Sequence, residues 1–159
     1  MTKYEKLIEY ANDRNISIVE TYFESDSKGL CIGRDTIAIK KELKDCEKIC
    51  ILAEELGHYN TSVGDIVDQK NSNNQKQEKI ARKWAVNKLI KIEKLIDAVK
   101  HGCDSLFEIA DFLDVTEEFL IESIDIFRQK YGPCYVSGNY AVIFNDLGFS
   151  VTGLPNEKH

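Results

Sequence analysis

Two carboxylates and one imidazole fall within five residues of a predicted helix, in the run Glu54-Glu55-Leu56-Gly57-His58. Side chains four residues apart on a helix share a face, so Glu54 and His58 stack, and Glu55 lies within the same arc of about 100°. A helical His-Glu-x-x-His motif binds zinc through its histidines and activates water through its glutamate. Glutamate also ligates zinc. The spacing therefore predicts Glu54 and His58 as metal ligands and Glu55 as a general base.

The helix that carries these residues is predicted to run from about residue 44 to residue 59. Its other positions are mostly apolar, among them Ile49, Leu52 and Leu56. A helix that is apolar nearly all round is usually buried, and a buried carboxylate needs a partner such as a metal ion. The same pattern is also typical of a solvated polar stripe on a surface helix, so the motif alone leaves both interpretations open.

A third metal ligand is predicted on the following helix, which ends near residue 90. Glu78 shares a face there with Ala81 and Ala85. Because both alanines are small, another helix can approach closely, and Glu78 would then enter the interior beside the first motif. The basic residues of this helix are interpreted as a solvated face: Lys76, Lys79, Arg82, Lys83 and Lys88.

Local signals predict the remaining elements. Thr2 and Glu5 form a capping box that begins a first helix ending near residue 14. Gly138-Asn139 is predicted to be the turn of a β-hairpin between two apolar runs. The connection at residues 60–74 is predicted to be a functional loop, and the chain after residue 149 a loose tail. Predicted strands cover residues 16–23, 30–33, 36–40, 135–137 and 140–144, and further helices cover residues 92–100, 105–113 and 117–130.

Charge and cysteine usage narrow the class of protein. The chain has 159 residues, a net charge of −6 and five cysteines without Cys-x-x-Cys spacing, so we expect reduced thiols and a cytoplasmic location. No run of about 20 apolar residues indicates a membrane span.

Residues 104–130 have the rhythm of a helix-turn-helix, but they carry eight acidic and two basic residues. This charge does not suit a phosphate backbone, so we expect a packing or partner-binding bundle and no direct contact with nucleic acid.

The motif around residue 54 resembles that of the ImmA/IrrE family of metallopeptidases of phages, mobile elements and their bacterial relatives. Residues 50–62 read CILAEELGHYNTS, and residues 78–85 read EKIARKWA where the family has Glu-x-x-Ala-Asn-x-Phe-Ala. The run at residues 139–148 looks like the ending of the family's small phage members. Two departures from the family's motifs matter: Glu54 replaces the first histidine, and Arg82 replaces the asparagine.

By this resemblance, Glu54, His58 and Glu78 hold a zinc ion, with manganese or iron as alternatives, and Glu55 is the general base. The activity implied is that of a metal-dependent endopeptidase. Its implied substrate is a phage or mobile-element transcriptional repressor with a helix-turn-helix domain, whose cleavage releases lysogenic control.

The fold expected from the elements and the resemblance together is α+β. A helix, a three-stranded meander and two active-site helices form a zincin-like minimal metalloprotease core at residues 1–91. A small helical segment and a C-terminal β-hairpin follow at residues 92–159 and pack on that core as one compact unit. The strand at residues 36–40 is expected to be an exposed edge on which an extended substrate adds as a strand. The predicted substrate-binding residues are therefore Thr36, Ile37, Ala38 and Ile39.

Other functions stay open at the level of sequence. One alternative is a catalytically inactive protein that keeps the zincin fold and sequesters a repressor through its acidic C-terminal helices. Another is a structural metalloprotein without turnover. Tyr22, Tyr59 and His101 are candidates to stabilise an oxyanion, although a structural role suits each of them better. The oligomeric state is not readable from the residues.

Overall fold

The computed structural model describes residues 1–24, 26–61, 72–146 and 148–155. Contacts divide the chain into two compact units, Met1–Leu89 and Ile90–His159. Among the described residues, each unit combines helices with a three-stranded sheet, so the predicted α+β class is confirmed. The expected packing of the second unit on the first stays a prediction.

The first unit begins with the capping box that the sequence predicts. The Thr2 hydroxyl accepts the Glu5 backbone N–H at 3.1 Å, and the Glu5 carboxylate accepts the Thr2 N–H at 3.3 Å. These two bonds satisfy donors that the first helical turn leaves unpaired. The elements of this unit are α1 (Lys3–Asn12), β1 (Ser17–Thr21), β2 (Gly29–Ile32), β3 (Thr36–Lys40), α2 (Asp45–Thr61) and α3 (Ser72–Leu89).

The sheet of the first unit has the order β1-β3-β2, so the predicted meander is wrong. Strand β3 pairs parallel with β1 and antiparallel with β2, which makes it the central strand. Its residues Ile37, Ala38 and Ile39 are at most 1% exposed. An unbroken apolar run suits a strand that is covered on both faces, and β3 has such a run. The expected exposed edge at residues 36–40 is therefore wrong as well.

Helix α2 packs against the rest of the first unit along most of its surface. It contacts α1, α3 and both β2 and β3. Fully buried side chains of this unit come from each of these layers, namely Leu7, Ala11, Ile37, Ile39, Leu52, Leu56, Ala85 and Val86. One core thus surrounds α2, and this core fixes how the polar residues of α2 are presented.

The second unit contains α4 (Glu93–Lys100), α5 (Leu106–Leu113), α6 (Glu117–Tyr131), β4 (Cys134–Ser137), β5 (Tyr140–Asn145) and β6 (Gly148–Gly153). Ser105 and Thr116 cap α5 and α6 by accepting backbone N–H groups at 3.1 Å. The predicted hairpin of β4 and β5 is present, and Gly138 in its turn has a φ of 58°. Such a positive φ favours glycine.

The predicted loose tail is wrong for the described residues after Phe149. Strand β6 pairs antiparallel with β5, which gives the sheet order β4-β5-β6. Phe149 and Val151 lie opposite the buried Phe144 and Val142. Cross-strand pairs of large apolar side chains stabilise a sheet, so these residues hold the third strand in place.

Residues 62–71 of the predicted functional loop lie outside the described part of the chain. None of the described helices has both the length and the hydropathy that a membrane span requires.

Candidate metal and active site

Helix α2 presents one polar stripe and is otherwise largely buried. The buried residues are Ile49, Cys50, Leu52, Ala53, Leu56 and Gly57. Glu54, Glu55 and His58 are half-buried and lie together between the buried positions. The predicted apolar helix with a polar stripe is thus confirmed. The three polar side chains reach solvent in part, and each has a neighbour on another element.

A close helix crossing brings α3 to this stripe. A Cβ atom built on Gly57 would collide with the backbone carbonyl of Ala81, so only glycine fits at this position. Ala81 and Ala85 are at most 1% exposed, which confirms that the small face of α3 meets another helix. Because the backbones touch at Gly57 and Ala81, the side chains that flank them on the two helices are brought within reach of each other.

The first pair across this crossing joins His58 to Glu78. The distance from His58 Nε2 to Glu78 Oε1 is 3.3 Å. Two ligand atoms bound to one tetrahedral zinc ion at 2.0–2.2 Å are about 3.3–3.5 Å apart. The separation therefore suits two ligands of one divalent ion. It also suits an ion pair between a protonated imidazole and a carboxylate.

The second pair joins Glu54 to Arg82, one helical turn away. Arg82 Nε lies 3.7 Å from Glu54 Oε1. The side chains of Glu54 and Arg82 are 25% and 36% exposed, so the pair is only partly shielded from water. The structure thus brings His58 and Glu78 together but places the Glu54 carboxylate beside a guanidinium. Among the described residues, no group of three or more His, Cys, Asp or Glu side chains is arranged to hold a metal ion.

Glu55 faces the sheet and not α3. The Cys31 thiol of β2 donates a hydrogen bond to Glu55 Oε2 at 3.1 Å. Burial, followed by the charge of Glu55 and this hydrogen bond, raises the pKa of the Cys31 thiol to about 12. A Cβ atom on Gly29 would press on Ile51 and Glu55, so the start of β2 also packs on this part of α2. The predicted general base is therefore held at the edge of the sheet.

The family model described as the IrrE N-terminal-like domain, Peptidase_M78, matches residues 10–125. This chain belongs to that family. The match spans most of the 159 residues and includes every residue of the candidate site. A search of curated proteins returned no match. The family assignment makes the first unit part of a metallopeptidase-like domain, and it confirms the resemblance seen in the sequence.

A metallopeptidase family implies a metal ion, and the donors of this chain suit one in part. His58 and Glu78 present an imidazole nitrogen and a carboxylate oxygen at the separation of two ligands. Glu54 supplies a third carboxylate, but its oxygen faces Arg82. The assignment of Glu54, His58 and Glu78 as metal ligands, and of Glu55 as the base, stays a prediction.

The predicted substrate-binding strand does not have the expected surface. Ile37, Ala38 and Ile39 of β3 are buried, and Thr36 pairs with both Ser17 and Ile32. A strand with partners on both sides cannot accept a third, so substrate cannot add at residues 36–40. The strand that lies at the sheet edge beside Glu55 is β2.

Two of the three oxyanion candidates, His101 and Tyr22, have other contacts, and the role of Tyr59 stays a prediction. The ring of His101 packs on Phe112 with centroids 4.9 Å apart, and His101 is the C-cap of α4. This supports its capping role at a helix C-terminus. Tyr22 is 71% exposed, and Lys41 Nζ lies 5.6 Å from its ring centroid.

Sequence reasoning missed two residues of the site. Arg82 was assigned to a solvated face, yet it pairs with Glu54. A signal was available in the spacing. Glu54 and His58 are four residues apart on α2, and Glu78 and Arg82 are four residues apart on α3. If two antiparallel helices pair His58 with Glu78, they also bring Glu54 to Arg82. Cys31 carried no comparable signal, since its contact with Glu55 depends on the strand order of the sheet.

Proposed function

We propose that this protein is a metal-dependent endopeptidase. The observation that carries the proposal is the 3.3 Å separation of His58 Nε2 and Glu78 Oε1 on two crossed helices. Membership in a peptidase family supports it. Zinc is the proposed ion, with manganese or iron as alternatives, and Glu54 is the proposed third ligand. A divalent ion bound there would polarise the peptide carbonyl and make a nearby water more acidic.

In the proposed reaction Glu55 is the general base. It takes a proton from the attacking water and delivers it to the leaving amine, so the carboxylate must accept first and donate second. The position of Glu55 and one hydrogen bond support this role. Glu55 is adjacent to the proposed ligands on α2, and it already accepts a hydrogen bond from the Cys31 thiol. Strand β2 therefore contacts the Glu55 carboxylate through Cys31.

The proposed substrate is a helix-turn-helix repressor of a phage or mobile element, and its cleavage would release lysogenic control. This proposal rests on the resemblance of the motifs to those of the ImmA/IrrE family. The edge of β2 replaces β3 as the proposed place where an extended segment adds. Leu30 and Ile32 are 38% and 54% exposed on that strand, and Cys31 between them contacts Glu55. An added strand would thus pass close to the base.

The variant Glu55→Gln tests the proposal. Purified helix-turn-helix repressors of phages and mobile elements are incubated with the protein and Zn²⁺ or Mn²⁺, and fragments are identified by mass spectrometry. We expect Glu55→Gln to lower the cleavage rate by about 10²–10⁴-fold, because the base is lost, while repressor binding persists. Glu47→Gln makes the same change near the start of α2, where Glu47 binds Lys28, and should leave cleavage unchanged. Cleavage that persists in Glu55→Gln would remove Glu55 from the base role.

A second function is favoured by one observation. Because Arg82 faces Glu54, a protein that binds its repressor without cleaving it would keep the same helix crossing with a neutralised ligand position. Under this alternative, wild type would bind a repressor in the presence of Zn²⁺ and Glu55→Gln would change neither binding nor the intact mass of the repressor. The same mass spectra therefore separate the two functions.

A further inference from the structure

Two of the positions at which this chain departs from its family's motifs contact each other. Glu54 stands where the family has histidine, Arg82 stands where it has asparagine, and their charged atoms are 3.7 Å apart. Helices α2 and α3 run antiparallel, since His58 meets Glu78 and Glu54 meets Arg82 one turn further along. The two departures therefore form one physical unit across the crossing at Gly57 and Ala81.

A carboxylate in an ion pair with a guanidinium loses part of that attraction when it turns to a metal ion, so the pair competes with coordination. The guanidinium also lies one helical turn from the His58 and Glu78 pair, where its charge repels a divalent cation. Both effects oppose metal binding at the proposed site.

We propose that Arg82 competes with the metal ion for Glu54 and thereby sets the metal affinity of this site. Glu54 joins His58 and Glu78 as a ligand only when its carboxylate leaves Arg82. Without metal, the ion pair with Arg82 compensates the charge of the Glu54 carboxylate. This inference rests on the proposed function, because it takes His58 and Glu78 as the place where the ion binds.

The distances make the competition specific to Arg82. Lys83 is the next residue of α3 and carries the same charge, but it is exposed and has no ion pair with the stripe among the contacts described. It thus provides a matched control for the loss of one positive charge on α3. If Arg82 lowers the metal affinity by pairing with Glu54, this effect requires the Glu54 carboxylate. If Arg82 only repelled the ion, the effect would not depend on Glu54.

The test measures Zn²⁺ affinity of the full chain by competition with a chromophoric chelator, at fixed pH and ionic strength. We expect Arg82→Gln to bind Zn²⁺ about tenfold more tightly than wild type, since a competitor and a repelling charge are both removed. In the Glu54→Gln background the same substitution should give a gain of about twofold at most. Lys83→Gln should leave the affinity within about twofold of wild type. Arg82→Lys, which keeps the charge, should gain less than Arg82→Gln.

Three outcomes decide the inference. A gain in Arg82→Gln that needs Glu54 supports it. An unchanged affinity in Arg82→Gln, or an equal gain in the Glu54→Gln background, overturns it, and loss of binding in His58→Ala would then show that the proposed metal site stands. Absence of Zn²⁺ binding from wild type and from Arg82→Gln overturns both the inference and the proposed function. Thermal unfolding of each variant with a chelator present checks that the measured proteins are folded.

Discussion

The crossing of α2 and α3 has two sides of opposite character. On one side Gly57 and Ala81 touch through their backbones, and Leu56 and Ala85 beside them are fully buried. On the other side charged side chains meet across 3.3–3.7 Å and reach water in part. Buried packing is sensitive to single atoms, whereas exposed ion pairs contribute little to stability. Packing therefore fixes the geometry of the two helices, while the charged residues can change with little effect on stability.

The largest effect is expected from Gly57→Ala. The added Cβ would collide with the Ala81 carbonyl, which is backbone and cannot rotate away, so the helices must move apart. We expect the free energy of unfolding to fall by about 2 kcal/mol or more, as overpacking does in tight cores. Denaturation in urea, followed by circular dichroism, measures the change.

The control for this prediction is Gly153→Ala. A Cβ at residue 153 meets no atom within 4 Å, and its φ lies outside the positive range. Its free energy of unfolding should stay within about 0.5 kcal/mol of wild type. If Gly57→Ala were as stable as this control, the close crossing would not be what positions the stripe.

A smaller effect is expected on the charged side. With a chelator present, Glu54→Gln and Arg82→Gln should each lower the free energy of unfolding by about 1 kcal/mol at most, because the ion pair is partly exposed. The double variant should lose no more than either single variant, since one interaction is removed in all three. In 1 M salt the differences should shrink. A loss of several kcal/mol would mean that the charged side chains hold the helices together, which would contradict the small contribution expected of an exposed ion pair.

The smallest expected effect concerns Cys31, and it appears only at alkaline pH. Its pKa is raised from 9.0 to about 12 in the folded protein, so the neutral thiol favours the folded state. That contribution is complete below pH 9 and is lost as the pH rises from about 9 to about 12, because the unfolded chain releases the thiol proton first.

We therefore expect Cys31→Ala to lose less stability than wild type between pH 8 and pH 10.5. Urea denaturation at the two values under reducing conditions measures this. Tyr4, whose pKa is also raised to about 12 by burial and by Glu20, contributes equally to both proteins. Cys134→Ala removes an exposed thiol of the second unit and should keep the pH dependence of wild type. Equal slopes in wild type and Cys31→Ala would contradict the raised pKa of the Cys31 thiol.

Local signals predicted the helices of this chain well. Thr2, Ser105 and Thr116 cap the helices that their spacing predicted, because a cap depends on residues within one turn. The strand order of the first sheet could not be read in this way. Pairing of β1 with β3 joins residues far apart in the chain, and the strands alone are equally compatible with a meander.

The candidate site was predictable to the extent that it depends on helix periodicity. Glu78 was found because Ala81 and Ala85 mark the face of α3 that approaches α2. The partner of Glu54 was not found, since it depends on the register between two helices. The contact of Cys31 with Glu55 depends on which strand lies at the sheet edge, and the wrong strand order hid it.

The position of β3 also determines when the first sheet can form. It is the last of its three strands in the chain and the central one in the sheet, so neither β1 nor β2 has a strand to pair with until it arrives. Its pairing with β2 is a local hairpin around residues 33–35, whereas its pairing with β1 must close a longer loop and is therefore slower to form. During synthesis, the first 35 residues would leave the ribosome with two strands that are not neighbours. The sheet can therefore be completed only when residues 36–40 emerge, ahead of the helix that carries Glu54 and His58.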